Sequence, residues 1–90
     1  MTDLMTTDPI TIYTTTWCSD CRMVKRYFKE HSIPFVEVNI EDDEAAMEQV
    51  IAWNNGHRSV PTFHYNGRLY SEPNRSQLDQ LRREMQSSAG

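Results

Sequence analysis

The hydrophobic positions of this 90-residue chain change their period several times, and each change predicts a new element. Residues 10–13 and residues 35–40 alternate apolar with polar side chains, which is typical of half-buried strands. Residues 62–65 and 68–71 flank an Asn-Gly dipeptide, which favours a tight turn between antiparallel strands. The pattern therefore predicts four strands.

Between these strands the apolar positions recur every three or four residues, as on the buried face of an amphipathic helix. We predict a first helix from Ser19, a second capped by Asp42 or Asp43 and ending near residues 55–56, and a third capped by Asn74. The recurring positions of the first helix are Met23, Val24, Tyr27, Phe28 and His31, and His31 at the helix end is expected to be solvated or to act as a cap. The residues predicted to face inward on the other two helices are Ala46, Met47, Val50 and Ile51, then Leu78, Leu81 and Met85.

The resulting order, β-α-β-α-β-β-α, predicts an α/β protein with the thioredoxin-like fold. Two strands joined by a helix should be parallel with a right-handed crossover, whereas the hairpin adds antiparallel strands. The expected architecture is a four-stranded mixed sheet flanked by three helices that cover both faces. We expect one domain over residues 1–90, with a core at about 10–85 and frayed ends at 1–8 and 87–90.

Charge and composition narrow the function classes. The formal net charge of −4 argues against a nucleic-acid partner, which a strongly basic face would attract. No apolar run approaches the about 18 residues of a membrane span, and the first residues lack the basic and apolar regions of a signal peptide. We therefore expect a cytoplasmic monomer with no membrane partner.

Both cysteines, Cys18 and Cys21, lie in one C-x-x-C motif. In a reducing cytoplasm such a pair indicates redox or metal chemistry before it indicates a structural disulfide. Cys18 follows the first strand and begins the first helix, where free amides and the helix dipole favour a thiolate. Cys21, one turn further on, should be more buried and less acidic. We predict that Cys18 attacks and Cys21 resolves.

The charges around the motif pull in opposite directions. Asp20 disfavours a neighbouring thiolate, whereas Arg22 favours it. We interpret Asp20 as a residue that selects the partner or moderates the reduction potential, and Arg22 as a tuning cation. Lys25 and Arg26 fit a tuning role and an ordinary solvated helix face equally well.

A second candidate element is the segment His-Arg-Ser-Val-Pro-Thr at residues 57–62. Pro61 stands at the entry to a strand, where its missing N–H group is tolerated. The exposed backbone of Val60 could then pair with the extended backbone of a substrate, as in β-strand addition. A plain turn before the strand is the alternative interpretation.

The stretches TIYTTTWCSDC, NGHRSVPT, YNG and SEPNRSQL resemble the glutaredoxin family, and within it the mycoredoxin-like redoxins. The resemblance runs from about residue 10 to residue 85, and the order and spacing of its motifs make it specific. It implies a thioredoxin fold and thiol–disulfide oxidoreductase activity on mixed disulfides or protein disulfides. The residue roles that it implies are a nucleophile at Cys18, a resolving thiol at Cys21, a cis proline at Pro61, and substrate contacts from Trp17, Arg58 and the Val60 backbone.

The chain departs from the family pattern at the places that usually hold glutathione. Thr15 replaces the usual lysine, Ser19-Asp20 replaces Pro-Tyr, and Glu72 stands where a Gly-Gly pair followed by an aspartate is usual. Glu72 would repel a carboxylate, and only Arg58 remains as an anchor for one. The electron donor is therefore expected to be mycothiol, another low-molecular-weight thiol or a reductase of the thioredoxin-reductase type, ahead of glutathione, with no bound cofactor.

Three other functions are compatible with the motif. A [2Fe–2S] cluster bridged between two protomers is permitted by Ser19 and disfavoured by Asp20. A non-catalytic redox switch or binding module would use the same disulfide without turnover. A zinc site joining the cysteines to His57 and His64 is disfavoured, because paired histidine ligands usually lie three to five apart in such sites.

Overall fold

A computed structural model describes residues 9–89, with side chains described to residue 86. The elements are β1 (Ile10–Thr14), α1 (Ser19–Glu30), β2 (Phe35–Asn39), α2 (Glu44–Trp53), β3 (Thr62–Tyr65), β4 (Arg68–Ser71) and α3 (Arg75–Ala89). Their order is the predicted β-α-β-α-β-β-α. Among the described residues, no helix has both the length and the apolar character needed to cross a membrane.

The four strands form one mixed sheet in the order β2-β1-β3-β4. β1 and β2 are parallel, with Ile10 opposite Phe35, whereas β3 pairs antiparallel with both β1 and β4. Asn66 and Gly67 adopt positive φ values of 53° and 80°, as a two-residue hairpin turn between twisted strands requires. The predicted thioredoxin-like arrangement is confirmed.

The main core lies between the sheet and the pair α1 and α3. Its fully buried side chains include Ile12 of β1, Phe28 of α1, Phe63 of β3 and Leu81 of α3. Because side chains alternate across a strand, Tyr13 points to the other face, where its ring meets Trp53 of α2 at 5.4 Å. The sheet is thereby covered on both faces, and α1 is fixed against it close to the end of β1.

The helix ends confirm one sequence prediction and correct another. His31 is exposed at the C-cap of α1, where its backbone N–H bonds to the last carbonyls, as predicted for a solvated or capping histidine. Residues 87–89 continue α3 instead of fraying, because no glycine or proline interrupts the helix before residue 90. The predicted fraying of residues 1–8 lies outside the described residues.

Candidate active site

Cys18 is the N-cap residue of α1. Its backbone is extended (φ −91°, ψ 110°), and its Sγ accepts a hydrogen bond from the Cys21 backbone N–H at 3.0 Å. The side chain is half-buried, and both cysteines are free thiols. An N-cap atom that accepts an amide hydrogen bond at the positive end of a helix is stabilised when it carries negative charge. Cys18 therefore lies at the start of α1, as the sequence predicted, and its sulfur accepts a hydrogen bond from a helix amide.

Cys21 occupies a different environment one turn into α1. It is only 1% exposed, and burial raises its pKa to about 12, with the hydrogen bond between the two thiols adding to the rise. A hydrogen bond from the Thr15 backbone and the charge of Lys25 act in the opposite direction. The two sulfurs are therefore unequal, since one meets solvent and the other stays protonated inside the fold.

The segment before β3 passes directly over the nucleophile. The Val60–Pro61 peptide bond is cis, as the resemblance implied, and the Cys18 Sγ lies 3.7 Å from the Val60 carbonyl oxygen. Pro61 is buried, and its carbonyl oxygen accepts a hydrogen bond from the Glu72 N–H at 2.8 Å. Glu72 has a φ of 48°, a left-handed conformation that a glutamate adopts only at a cost. The loop between β4 and α3 thus supports the proline segment from behind.

The loop that carries Trp17 is tied to the end of β2. The Thr16 N–H donates to the Glu41 carboxylate at 3.2 Å, and the Asn39 side-chain amide donates to Thr16 Oγ1 at 2.9 Å. Trp17 itself is 83% exposed, so its indole is available for contact beside the nucleophile. The anchoring of this loop fixes the chain immediately before Cys18.

The remaining predicted residues lie around this centre. Val60 meets the nucleophile directly, whereas Arg58 is exposed on the segment between α2 and β3, two residues before it. Asp20 and Arg22 are exposed in the first turns of α1, and within residues 9–86 neither forms an ion pair. The C-x-x-C motif and the segment at residues 57–62 therefore meet through Val60. The three charged residues, Arg58, Asp20 and Arg22, lie at the edge of the site.

One feature of the site was not predicted from the sequence. Lys25 Nζ and Thr14 Oγ1 both bind the same oxygen, Oε2 of Glu37, at 2.9 and 2.7 Å. We call these three residues the Lys25–Glu37–Thr14 network. The hydrogen bond from Thr14, and then that from Lys25, hold the pKa of the Glu37 carboxyl below its usual value. The only sequence signal was a glutamate among the apolar residues of a predicted strand.

The histidines have other surroundings than a metal site would require. His64 lies on β3 with its ring 4.3 Å from that of Trp53, and His57 is exposed between α2 and β3. Within the part of the chain that the structure describes, no three His, Cys, Asp or Glu side chains are grouped closely enough to hold a metal ion.

Comparisons with known proteins point to one family. The glutaredoxin family model matches residues 10–70. A glutaredoxin homologue from Mycobacterium tuberculosis H37Rv is 37% identical over 75 residues, which is 82% of this chain and 89% of that protein. The glutaredoxin-like protein NrdH of Lactococcus lactis is 33% identical over 72 residues, which is 80% of this chain and 97% of that protein.

Two further comparisons agree with this result. Mycoredoxin 1 of Corynebacterium glutamicum is 37% identical over 57 residues, which cover 63% of this chain and 70% of that protein. The crystal structure of the thioredoxin-like protein BC3987 superimposes with a TM-score of 0.71 at 26% identity, covering 80% of this chain and 97% of that one.

Proposed function

This chain belongs to the glutaredoxin family, and from that premise we propose that it is a thiol–disulfide oxidoreductase that works through the Cys18–Cys21 dithiol. The observation that carries the proposal is the inequality of the two sulfurs. Cys18 is half-exposed and accepts the Cys21 amide hydrogen bond, while Cys21 is 1% exposed and has a pKa raised to about 12. Cys18 is accessible to an incoming disulfide, whereas Cys21 is buried and reacts only after the mixed disulfide has formed on Cys18.

In the first step the Cys18 thiolate attacks one sulfur of a substrate disulfide. A bond forms between Cys18 Sγ and that sulfur, the substrate S–S bond breaks, and the other substrate sulfur leaves as a thiolate that takes up a proton. The backbone N–H of Cys21, which donates a hydrogen bond to Cys18 Sγ, remains at the helix N-terminus throughout. It therefore also stabilises the Cys18 thiolate when that sulfur is later expelled.

Two routes complete the reaction. In the dithiol route Cys21 loses its proton and attacks Cys18 Sγ, which forms the Cys18–Cys21 disulfide and expels the second substrate thiolate. In the monothiol route a low-molecular-weight thiolate instead attacks the substrate-derived sulfur of the mixed disulfide, which forms a new disulfide with that sulfur, breaks its bond to Cys18 Sγ and expels the Cys18 thiolate. A protein disulfide needs the first route, because its second sulfur stays tethered close to the mixed disulfide and can return.

We assign substrate contacts to the groups that surround Cys18. The Val60 backbone, 3.7 Å from Cys18 Sγ, would pair with an extended substrate backbone, and the exposed indole of Trp17 would cover the other side. Arg58 supplies a cation at the edge of the site. These contacts favour a flexible disulfide segment of a protein or a small mixed disulfide.

The electron donor is proposed to be mycothiol, another low-molecular-weight thiol or a reductase of the thioredoxin-reductase type, acting in the cytoplasm. Glu72 places a carboxylate at the turn behind Pro61, and the following helix is closed by reciprocal bonds between Asn74 and Gln77 at 2.8 and 2.9 Å. Because these bonds occupy donors at the start of α3, they leave less there for a carboxylate of glutathione.

The proposal is tested by turnover of a small mixed disulfide and of a protein disulfide, with each donor system supplied in turn. Cys18→Ser should abolish both activities. Cys21→Ser should lose the protein disulfide activity and keep part of the mixed disulfide activity with a thiol donor. Activity that survives in Cys18→Ser, or a wild-type protein that is never re-reduced by any donor, would contradict the proposal.

A further inference from the structure

The Lys25–Glu37–Thr14 network lies beside Cys21, and the reaction outlined above gives it no role. Lys25 follows Cys21 by four residues in α1, so the two side chains share one face of the helix, with Cβ atoms about 5–6 Å apart. The Lys25 side chain is 27% exposed and is held by Glu37 at 2.9 Å instead of extending into solvent. The network therefore holds the side chain of a cation that lies one helical turn from the resolving thiol and whose charge acts on that thiol.

The resolving step needs negative charge where the fold disfavours it. Cys21 must become a thiolate before it can attack, yet it is 1% exposed and its pKa is raised to about 12 by burial. Of the charged groups that face it, Cys18 opposes its ionisation, Lys25 favours it, and Glu37 on β2 lies against Lys25. Lys25 is the cation best placed to stabilise the Cys21 thiolate.

Glu37 has two opposing effects on that cation. Its carboxylate is anchored by Thr14, a residue of β1 with 0% exposure, and so keeps the ammonium group of Lys25 at a fixed distance from the helix. At the same time its negative charge offsets part of the positive charge that Cys21 experiences. Removing the charge of Glu37 while keeping its hydrogen bonds should therefore strengthen the effect of Lys25.

We propose that Lys25 and Glu37 are positioning residues that set the rate at which Cys21 resolves the mixed disulfide. In that step the Cys21 thiolate attacks Cys18 Sγ, the bond from Cys18 to the substrate breaks, and the electron pair leaves on the substrate sulfur, which is then protonated. The proton lost by Cys21 passes to solvent. The inference rests on the proposed function, since it concerns one step of that reaction.

The size of the effect follows from two opposing terms. We take about tenfold as the change in the ionised fraction of Cys21 when a half-buried cation one helical turn away is removed. The Cys21 thiolate that remains is more basic and therefore a better nucleophile, with a Brønsted slope of about 0.4–0.5. This gain in intrinsic reactivity offsets about threefold of the loss in ionised fraction. A net change of about threefold in the rate of resolution is expected.

Stopped-flow reaction of the reduced protein with equimolar 2,2′-dipyridyl disulfide separates the two steps. The first release of 2-thiopyridone reports attack by Cys18, and the second reports resolution by Cys21. Lys25→Met should slow the second phase about threefold and leave the first within about twofold. Glu37→Gln should accelerate the second phase, and Lys25→Arg should restore the wild-type rate. Arg26→Met, which removes an exposed cation from the same helix, is the matched control and should change neither phase.

The outcomes distinguish the inference from the proposed function. A wild-type trace without a second phase would contradict the proposed dithiol chemistry itself. If the wild-type protein shows both phases, two results would overturn the inference alone. The first is a second phase whose rate is unchanged in Lys25→Met. The second is a second phase slowed equally in Lys25→Met and Glu37→Gln, because loss of a purely structural network would slow resolution in both variants. If Lys25→Met does not fold, as judged by urea unfolding, the sign of the change in Glu37→Gln decides the matter.

Discussion

The backbone nitrogen of Cys21 lies 3.0 Å from Sγ of Cys18, and its N–H donates a hydrogen bond to that sulfur. Cys21, the residue proposed to resolve the mixed disulfide, therefore also stabilises the sulfur that forms it. This contact is an N-cap hydrogen bond made by a thiol. It links helix formation to reactivity, because the same geometry that begins α1 supplies a donor to the reacting sulfur.

The capping role of Cys18 predicts different stabilities for two inactive variants. Cys18→Ser keeps an N-cap side chain that accepts the Cys21 amide bond, so it should unfold at a urea concentration close to that of the reduced wild-type protein. Cys18→Ala removes the acceptor and should lower the free energy of unfolding by about 1 kcal/mol. Equal stabilities for the two variants would contradict the capping role.

The N-cap of α2 gives a second comparison between neighbouring residues. Asp43 accepts a hydrogen bond from the Ala46 N–H at 3.0 Å, whereas Asp42 is exposed one residue earlier. Asp43→Ala should lower the free energy of unfolding by about 1 kcal/mol, and Asp42→Ala should change it by less than about 0.5 kcal/mol. Chemical denaturation monitored by circular dichroism measures both values, and the reverse order of effects would be incompatible with the structure.

The left-handed backbone at Glu72 predicts a stabilising glycine. The left-handed geometry of this position costs an alanine about 1–2 kcal/mol and costs a glycine nothing. The glycine variant in turn loses about 0.4–1 kcal/mol of stability, because its unfolded chain has more conformational freedom. Glu72→Gly should therefore be about 1 kcal/mol more stable than Glu72→Ala, a comparison in which both variants lack the carboxylate. Thermal unfolding of the pair checks this, and an alanine variant as stable as the glycine variant would refute it.

The buried Cys21 thiol predicts how stability depends on pH. Its pKa rises from 9.0 to about 12 on folding, so above about pH 9 the unfolded chain has released a proton that the folded chain still holds. This group contributes its full share to stability below pH 9, and that share is lost at up to about 1.4 kcal/mol per pH unit as pH rises toward 12.

The contribution is isolated by a difference measurement. Free energies of unfolding of Cys18→Ser and of the double variant Cys18→Ser, Cys21→Ala are compared from pH 7 to pH 10.5. The first should lose stability faster than the second above pH 9. Parallel curves would show that Cys21 ionises as readily in the folded protein as in the unfolded chain.

Much of the fold was predictable because the relevant signals are local. The alternating strands, the Asn-Gly turn and the three-to-four spacing of the helices specify the order of elements, and that order placed Cys18 at the start of α1. The Asn74–Gln77 pair was likewise visible as a capping box four residues long, and its reciprocal hydrogen bonds are present.

The parts that were not predictable depend on contacts between distant segments. Glu37 could not be linked to Lys25 and Thr14 without the register that aligns β1 with β2 and the packing of α1 upon them. The positive φ of Glu72 arises where its N–H bonds to the Pro61 carbonyl oxygen, eleven positions away in the chain. Neither relationship leaves a periodic signal in the sequence.

The central claim is that Cys18 is the reactive sulfur and Cys21 the protected one. It is tested most directly by brief treatment of the reduced protein with limiting iodoacetamide at pH 7, followed by tandem mass spectrometry. Fragmentation is needed to locate the label, since no lysine or arginine separates the two cysteines. Label on Cys18 with Cys21 unmodified is the predicted result, and label first on Cys21, or on neither cysteine, would contradict the account.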